Sequence, residues 1–229
     1  MLRIALALVF AGAIVAFFAL GGPDYLSLDS VKRHRDAMLA FTDAHYITAL
    51  FLAFVIYVAQ VAFSLPGSLI LSLAMGFLFG RWVGTALVVV AATVGATLLF
   101  VAARYLFADV ARRRMGALGE KINAGFTKNA FSYLLFLRLV PVFPFFIVNL
   151  APAFTTIPLR TFVLATALGI VPGTFVFVNL GEALGRIDSL RGLISLDVLA
   201  GLGLLALLSL VPVLVQKLRA RRAGNTDRA

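Results

Sequence analysis

Between Tyr46 and Ala103 the chain carries a single formal charge, Arg81. Two uncharged runs flank it: Tyr46 to Gly80, 35 residues, and Trp82 to Ala103, 22 residues. The second fits one membrane-crossing helix, which needs about 20 apolar residues. The first is too long for one comfortable span and too short for two, and Pro66-Gly67 interrupts its middle. Proline then glycine breaks a helix and reverses the chain. A re-entrant hairpin is therefore expected, two half-helices that enter and leave by one face. The competing arrangement is a full span at 46–64 followed by a short half-helix.

Composition points the same way. Of 229 residues, 62% are hydrophobic and 13% charged, with a mean hydropathy of +1.04. Soluble chains run about 45–50% apolar and about 25% charged, so an aqueous fold could not hide this much apolar surface. The chain has no cysteine, which excludes disulfides, thiol catalysis and cysteine-ligated metals. Its two histidines, His34 and His45, share one polar stretch, so neither a metal nor a cofactor is expected. The spans hold no paired carboxylates, and no Gly-rich nucleotide loop or catalytic triad can be assembled. An enzyme is not expected.

The net charge of +10 is explained by its placement. Arg104, Arg112, Arg113, Arg114, Lys121 and Lys128 form one basic block, and Lys217, Arg219, Arg221, Arg222 and Arg228 form another. Both follow apolar runs, where cytoplasmic loops carry positive charge. This favours membrane topology over nucleic-acid binding, with the tail a solvated end able to touch anionic headgroups.

Ile4 to Leu20 reads as a retained signal-anchor helix, with a cleavable signal peptide as the rival. Asp24 to His45 mixes Asp29, Lys32, Arg33, Arg35, Asp36 and Asp43 with Leu28, Val31, Met38, Leu39 and Phe41, the pattern of an amphipathic interfacial helix. A second such helix is expected over 107–128, weakened by Gly116, Gly119 and Gly125. Ala130 to Pro158 contains Pro141, Pro144, Pro152 and Pro158 with Arg138 and Asn149. Broken backbone at membrane depth survives only where protein or a water-filled cavity shields it, so a second re-entrant hairpin is expected. Thr161 to Gly181 and Val198 to Gln216 supply further spans.

The expected fold is thus all-α: a polytopic membrane protein with about four spanning helices and two opposed re-entrant hairpins. Residues 1–45 hold the anchor and interfacial helix, 46–185 the core, and 186–229 the last span and basic tail. Parity places both termini with the basic blocks, on the cytoplasmic side. Two proline-interrupted segments at corresponding places, facing opposite ways, form the inverted repeat of transporters. Glycine-rich faces permit a homodimer.

Arg138 lies between Phe131–Leu137 and Leu139-Val140-Pro141. An arginine in lipid costs roughly 2.5–3.5 kcal/mol on insertion scales, and its fork of donors suits phosphate oxygens. The alternative is a scaffold role, snorkelling outward or tying down carbonyls freed by the prolines. Arg104 is a substrate contact or a snorkelling charge at a helix end. Asn149 either donates to a headgroup or caps exposed backbone. Gln60 is a candidate substrate contact, acting through a hydrogen bond within the first hairpin. Pro66, Gly67, Pro141 and Pro144 create half-helix ends whose unpaired N–H groups suit an anion. Gly76, Gly80, Gly84 and Gly95 are expected at helix-packing positions, and Glu182 is expected to be an exposed helix-end charge.

The series Phe136-x-Arg138-x-x-Pro141-x-x-Pro144-Phe145, with Asn149 shortly after, resembles the DedA-like superfamily, and most closely the SNARE-associated Golgi protein (VTT domain) branch. Pro66-Gly67 through Gly76-Phe77-Leu78-Phe79-Gly80, Gly84, Gly95-Ala96 and Arg104 is similar to the first half of that domain. The resemblance covers about residues 46 to 185. It implies two opposed re-entrant hairpins and translocation of a phosphate-bearing lipid between leaflets of the bacterial inner membrane. Undecaprenyl phosphate and phospholipids are the candidate substrates, with Arg138, and with it Arg104, meeting phosphate. DedA members proper carry acids around the first Pro-Gly, where this chain has Gln60 and Ser68, so downhill movement replaces proton coupling in the expectation. A small inorganic anion carrier and a non-transporting factor for envelope homeostasis are the alternatives.

Overall fold

The computed structural model describes residues 2–25, 27–114, 130–139 and 145–185. Among the described residues all regular structure is helical. Helix α1 (Leu2–Ala19) leads into three short helices, α2 (Gly22–Tyr25), α3 (Leu28–Arg33) and α4 (Arg35–Ala44). The expected single amphipathic helix over 24–45 is therefore divided. His34 stands between α3 and α4, its Nδ1 2.9 Å from the carbonyl of Ser30. On α4, Thr42 is buried while Asp36 and Asp43 face outward, so the two-faced character survives the break.

Helix α5 (Tyr46–Ala62) ends at the expected place. The turn of residues 63–67 includes Ser64 and Gly67 at positive φ, 53° and 112°, and Pro66 precedes the next helix. That helical run, Ser68–Arg114, is divided at Gly80, whose φ of 73° and ψ of 173° are not helical. We label its parts α6 (68–79) and α7 (81–114). An extended residue at positive φ is open to glycine alone at little cost, so Gly80 is a corner and not the packing contact expected of it.

The chain folds back on itself at both turns. Tyr46 meets Phe79 edge to face at 5.9 Å, and Tyr57 and Ser72 share a buried 3.0 Å hydrogen bond. Helices α5 and α6 are thus an antiparallel pair about 25 and 18 Å long at 1.5 Å per residue. Beyond Gly80, α7 runs back alongside α5, and a Cβ at Gly95 would lie 2.7 Å from the carbonyl oxygen of Val58.

The second half contributes α8 (Ala130–Leu139), α9 (Phe145–Leu150), a 3-10 turn (Ala151–Phe154) and the long α10 (Leu159–Gly185). Helix α10 is antiparallel to α7: Phe162 stacks on Phe100 at 4.2 Å, and Glu182 reaches Arg81 at the other end. The crossing of α6 and α10 admits no side chain. A Cβ at Gly76 would come within 1.8 Å of the Val178 carbonyl oxygen, and one at Gly181 within 2.0 Å of that of Leu73. Close backbone approach through small residues is how apolar helices associate without a hydrophobic drive between them. Around this crossing the core gathers Val61, Met75, Val88, Phe100, Leu134, Phe162 and Val178.

Among the described residues, two runs are long and apolar enough to cross a membrane, Ser68–Leu106 and Leu159–Leu184, and Leu8–Ala19, Tyr46–Ala62 and Ala130–Leu139 are shorter apolar helices. The expected span at 82–103 lies within α7 and that at 161–181 within α10. The expected span at 198–216, the basic tail, most of the basic loop and the prolines Pro141 and Pro144 lie outside the described residues.

Candidate functional site

Arginine that is taken from water needs partners for its five donors. Arg104, on α7, finds them in a segment that cannot supply its own. Residues 155–158 have no regular structure, so the carbonyls of Thr155 and Ile157 are not taken up by a helix. Arg104 donates from Nε to Ala153 O at 3.3 Å and from Nη2 to the carbonyls of Thr155 and Ile157, both at 2.8 Å. Thr155 adds its own closure, its hydroxyl donating to the Pro152 carbonyl at 2.8 Å. The guanidinium also lies 4.3 Å from the ring centroid of Phe100, four residues earlier on the same helix and so on the same face.

From Phe100 the contacts continue to the second arginine. Phe100 stacks on Phe162, and Arg138 lies 5.5 Å from the Phe162 centroid. Arg138 Nη2 donates to Thr166 Oγ1 at 3.0 Å. Its stem passes over Gly169, where a Cβ would lie 2.5 Å from that of Arg138. Phe162, Thr166 and Gly169 are spaced along one face of α10 (i, i+4, i+7) and together form the bed on which Arg138 lies. Thr166 is about 10 Å along α10 from Leu159, well inside a helix long enough to cross the membrane. The sequence thus brings Arg104 and Arg138 into one assembly, connected through two phenyl rings.

Asn149 is completely buried on α9. Neither of its side-chain amide atoms has a hydrogen-bond partner among the described residues. A buried primary amide left so carries a desolvation cost of about 1–3 kcal/mol, which a ligand would relieve.

Gln60 sits elsewhere, in the turn of the first hairpin. Both of its amide protons are engaged, one with the Leu65 carbonyl and one with Ser68 Oγ at 2.9 Å. Ser72 in turn donates to Ser68 O at 2.8 Å. With its one proton committed there, Ser72 accepts from Tyr57. Pro66 and Gly67 form the turn that these groups close.

Glu182 is not the exposed charge expected from the sequence. Its side chain is 11% exposed, and its Oε2 accepts at 2.8 Å from both Nε and the backbone N–H of Arg81. It therefore caps the start of α7 from 101 residues away and joins the two halves of the chain at the end opposite Arg104.

Reasoning from the sequence singled out the arginines but not Phe100, Phe162, Thr166 or Gly169. The i, i+4 relation of Phe100 and Arg104 was readable; the α10 face was not, because nothing local in sequence says which helix Arg138 meets.

The VTT domain matches residues 65–183, a span that begins before Pro66 and ends after Glu182. The chain is 35% identical over 195 residues to a transmembrane protein 41 homolog of Dictyostelium discoideum, covering 82% of this chain and 57% of that protein. It is 31% identical to an uncharacterized membrane protein of Arabidopsis thaliana, covering 71% of this chain and 58% of the other. Transmembrane protein 41B of Danio rerio is 26% identical, with 83% of this chain and 68% of that protein covered. The chain thus spans little more than half the length of the first and second of these relatives. No solved structure matches it. With a family match over more than half its length and relatives of this kind, the chain is a membrane protein that belongs to the VTT-domain family of the DedA superfamily, alongside the transmembrane protein 41 group.

Proposed function

We propose that the protein moves a phosphate-bearing lipid, a phospholipid or a polyprenyl phosphate, between the leaflets of its membrane, without enzymatic chemistry. The observation that carries this reading is the position of Arg138. Its guanidinium lies about 10 Å inside a helix long enough to cross the bilayer, bedded on Phe162 and Thr166. A cation at that depth is costly and marks a substrate path more often than a scaffold. Asn149, fully buried, adds a donor suited to a headgroup.

The membrane arrangement follows from the same reading. Helix α5, at about 25 Å, is shorter than the roughly 30 Å hydrocarbon layer. The 46–80 stretch is uncharged and closes its turn with its own groups, which supports a re-entrant hairpin entering from the Arg81–Glu182 end. Helix α8 and residues 145–158, on either side of residues outside the described structure, are the candidates for its inverted counterpart, entering from the Arg104 end. Trp82 and Tyr105, 75% and 43% exposed, are about 35 Å apart along α7 and form aromatic girdles at the two interfaces. Both termini then face the cytoplasm of a bacterial inner membrane, and Arg104 holds the mouth of the second hairpin in shape.

The test is reconstitution. Purified protein in liposomes is given fluorescent phospholipid or polyprenyl phosphate, and leaflet exchange is followed by dithionite quenching. Wild type accelerates exchange and Arg138→Ala abolishes most of it. Correctly folded protein that moves neither lipid sinks the proposal. Chloride or phosphate flux in its place would support a small-anion carrier.

A further inference from the structure

A second place in the molecule, apart from the Arg138 site, has the shape of a ligand site. Helix α4 and the end of α3 roof over the outer face of the α5–α6 hairpin, and between roof and hairpin lies a hollow of about 530 Å³. Its walls are small for a reason visible in the sequence: Ala37 in the roof and Ala49, Ala53 and Ala74 in the floor leave space that larger residues would fill.

Of the lining residues only Ser30, His34 and Thr42 are polar, and several of their groups are already engaged. The Ser30 carbonyl meets His34 Nδ1, the Ser30 N–H donates to Ser27 Oγ at 3.1 Å, and Thr42 Oγ1 donates to Met38 O at 2.8 Å. A buried water needs two to four polar partners, and a hollow without them stays dry or takes hydrocarbon. On its open side stand Leu52 and Ile56, 45% and 52% exposed, on a helix of a membrane protein. In the membrane arrangement proposed above, on which this one step rests, the medium that reaches the opening is lipid.

The rim carries matching charge. Arg33 and Arg35 are both exposed, and Arg35 lies 5.8 Å from the ring centroid of Phe77, which directly precedes Leu78 of the hollow's lining. Its side chain is 44% exposed, and its ion pair with the exposed Asp36 is long, 3.9 Å. We infer that this hollow holds one acyl chain of a membrane phospholipid, whose headgroup phosphate rests against Arg35 at the rim. The bound lipid completes the packing between α4 and the hairpin and fastens the N-terminal helices to the core.

The experiment uses the full chain in nanodiscs of phosphatidylglycerol containing a phosphatidylglycerol with a diazirine on its acyl chain. Adducts are mapped by mass spectrometry after illumination. Wild type is labelled on the residues facing the hollow more heavily than on Leu164 and Leu168, which are 56% and 57% exposed on α10 and report ordinary lipid contact. Ala37→Phe fills the hollow from its roof and lowers this labelling about tenfold. Ala40→Phe, on the exposed face of the same helix, leaves it unchanged, as does Arg138→Ala. Arg35→Ala reduces labelling by the phosphatidylglycerol probe more than by a diazirine diacylglycerol that lacks the phosphate. Labelling of the hollow no greater than at Leu164 and Leu168, or unaltered by Ala37→Phe in protein that elutes like wild type, overturns the inference.

Discussion

Removing Arg104 tests whether it shapes the loop or serves only a ligand. In Arg104→Ala three carbonyls, of Ala153, Thr155 and Ile157, lose their donor at once. Hydrogen bonds to a charged group are each worth about 1.5–3 kcal/mol. The lower figure applies here, because Thr156 and Pro158 are exposed and water can reach part of the vacated segment. Loss of the stacking on Phe100 adds about 0.5–1 kcal/mol. The total is about 5 kcal/mol, and it falls on one short segment. Arg104→Lys keeps the charge but replaces the fork with a single ammonium and recovers about half.

The assay is hydrogen–deuterium exchange in detergent, read at the amides of Thr155 and Phe162. These are bonded to the carbonyls of Pro152 and Pro158, both at 3.1 Å. At 1.4 kcal/mol per tenfold, exchange there accelerates about four thousandfold in Arg104→Ala if opening is local. Trp82, the sole tryptophan, lies at the other end of α7 and reports global unfolding separately. Unchanged exchange at Thr155 and Phe162, with an unchanged unfolding midpoint, would refute the clamp. If lipid movement were lost all the same, Arg104 would act on the substrate directly.

Three further outcomes follow from the packing. Gly76→Ala and Gly181→Ala each place a methyl group onto a backbone carbonyl, and each lowers stability by about 1–3 kcal/mol in denaturant titrations. Because both force the same two helices apart, the double variant loses less than the sum; full additivity would contradict a shared crossing. Tyr57→Phe removes one buried hydrogen bond but leaves Ser72 bonded to Ser68, so it costs only about 1 kcal/mol. Glu182→Ala strips Arg81 of its carboxylate partner and costs about 2 kcal/mol in thermal unfolding, whereas the pair replaced together by Arg81→Met and Glu182→Leu loses less.

How far the sequence could be read depended on how local each cause was. Absence of charge from Tyr46 to Gly80 and the Pro66-Gly67 break located the two helices and the turn, because a helix breaker acts on its own neighbours. Gln60 was readable for the same reason: its partners Leu65 and Ser68 lie within eight residues. Gly80 was misread as a packing glycine, since composition cannot separate a residue that needs close approach from one that needs positive φ. The division at His34 was missed because the apolar spacing of 24–45 continues through it. Glu182 was read as exposed since its partner Arg81 is a hundred residues away, and long-range pairing leaves no periodic trace. The α10 bed of Arg138 was illegible for that reason too, although Arg138 itself stood out by its cost in an apolar run.

The self-contained first hairpin also bears on how the protein is made. Its turn is closed by Gln60, its two helices are tied by Tyr57 and Ser72, and neither helix carries a charge. Its turn and its helix pair are therefore closed by its own residues, and it can leave the insertion machinery as a paired unit. The crossing of Gly76 and Gly181 must wait for α10, synthesised about a hundred residues later. During that interval the bare Gly76 face of α6 is open to whatever helix drifts past. Assembly thus divides into a local step that the nascent chain completes alone and a docking step vulnerable to wrong partners, and defects at Gly181 should fail at the second while leaving the first intact.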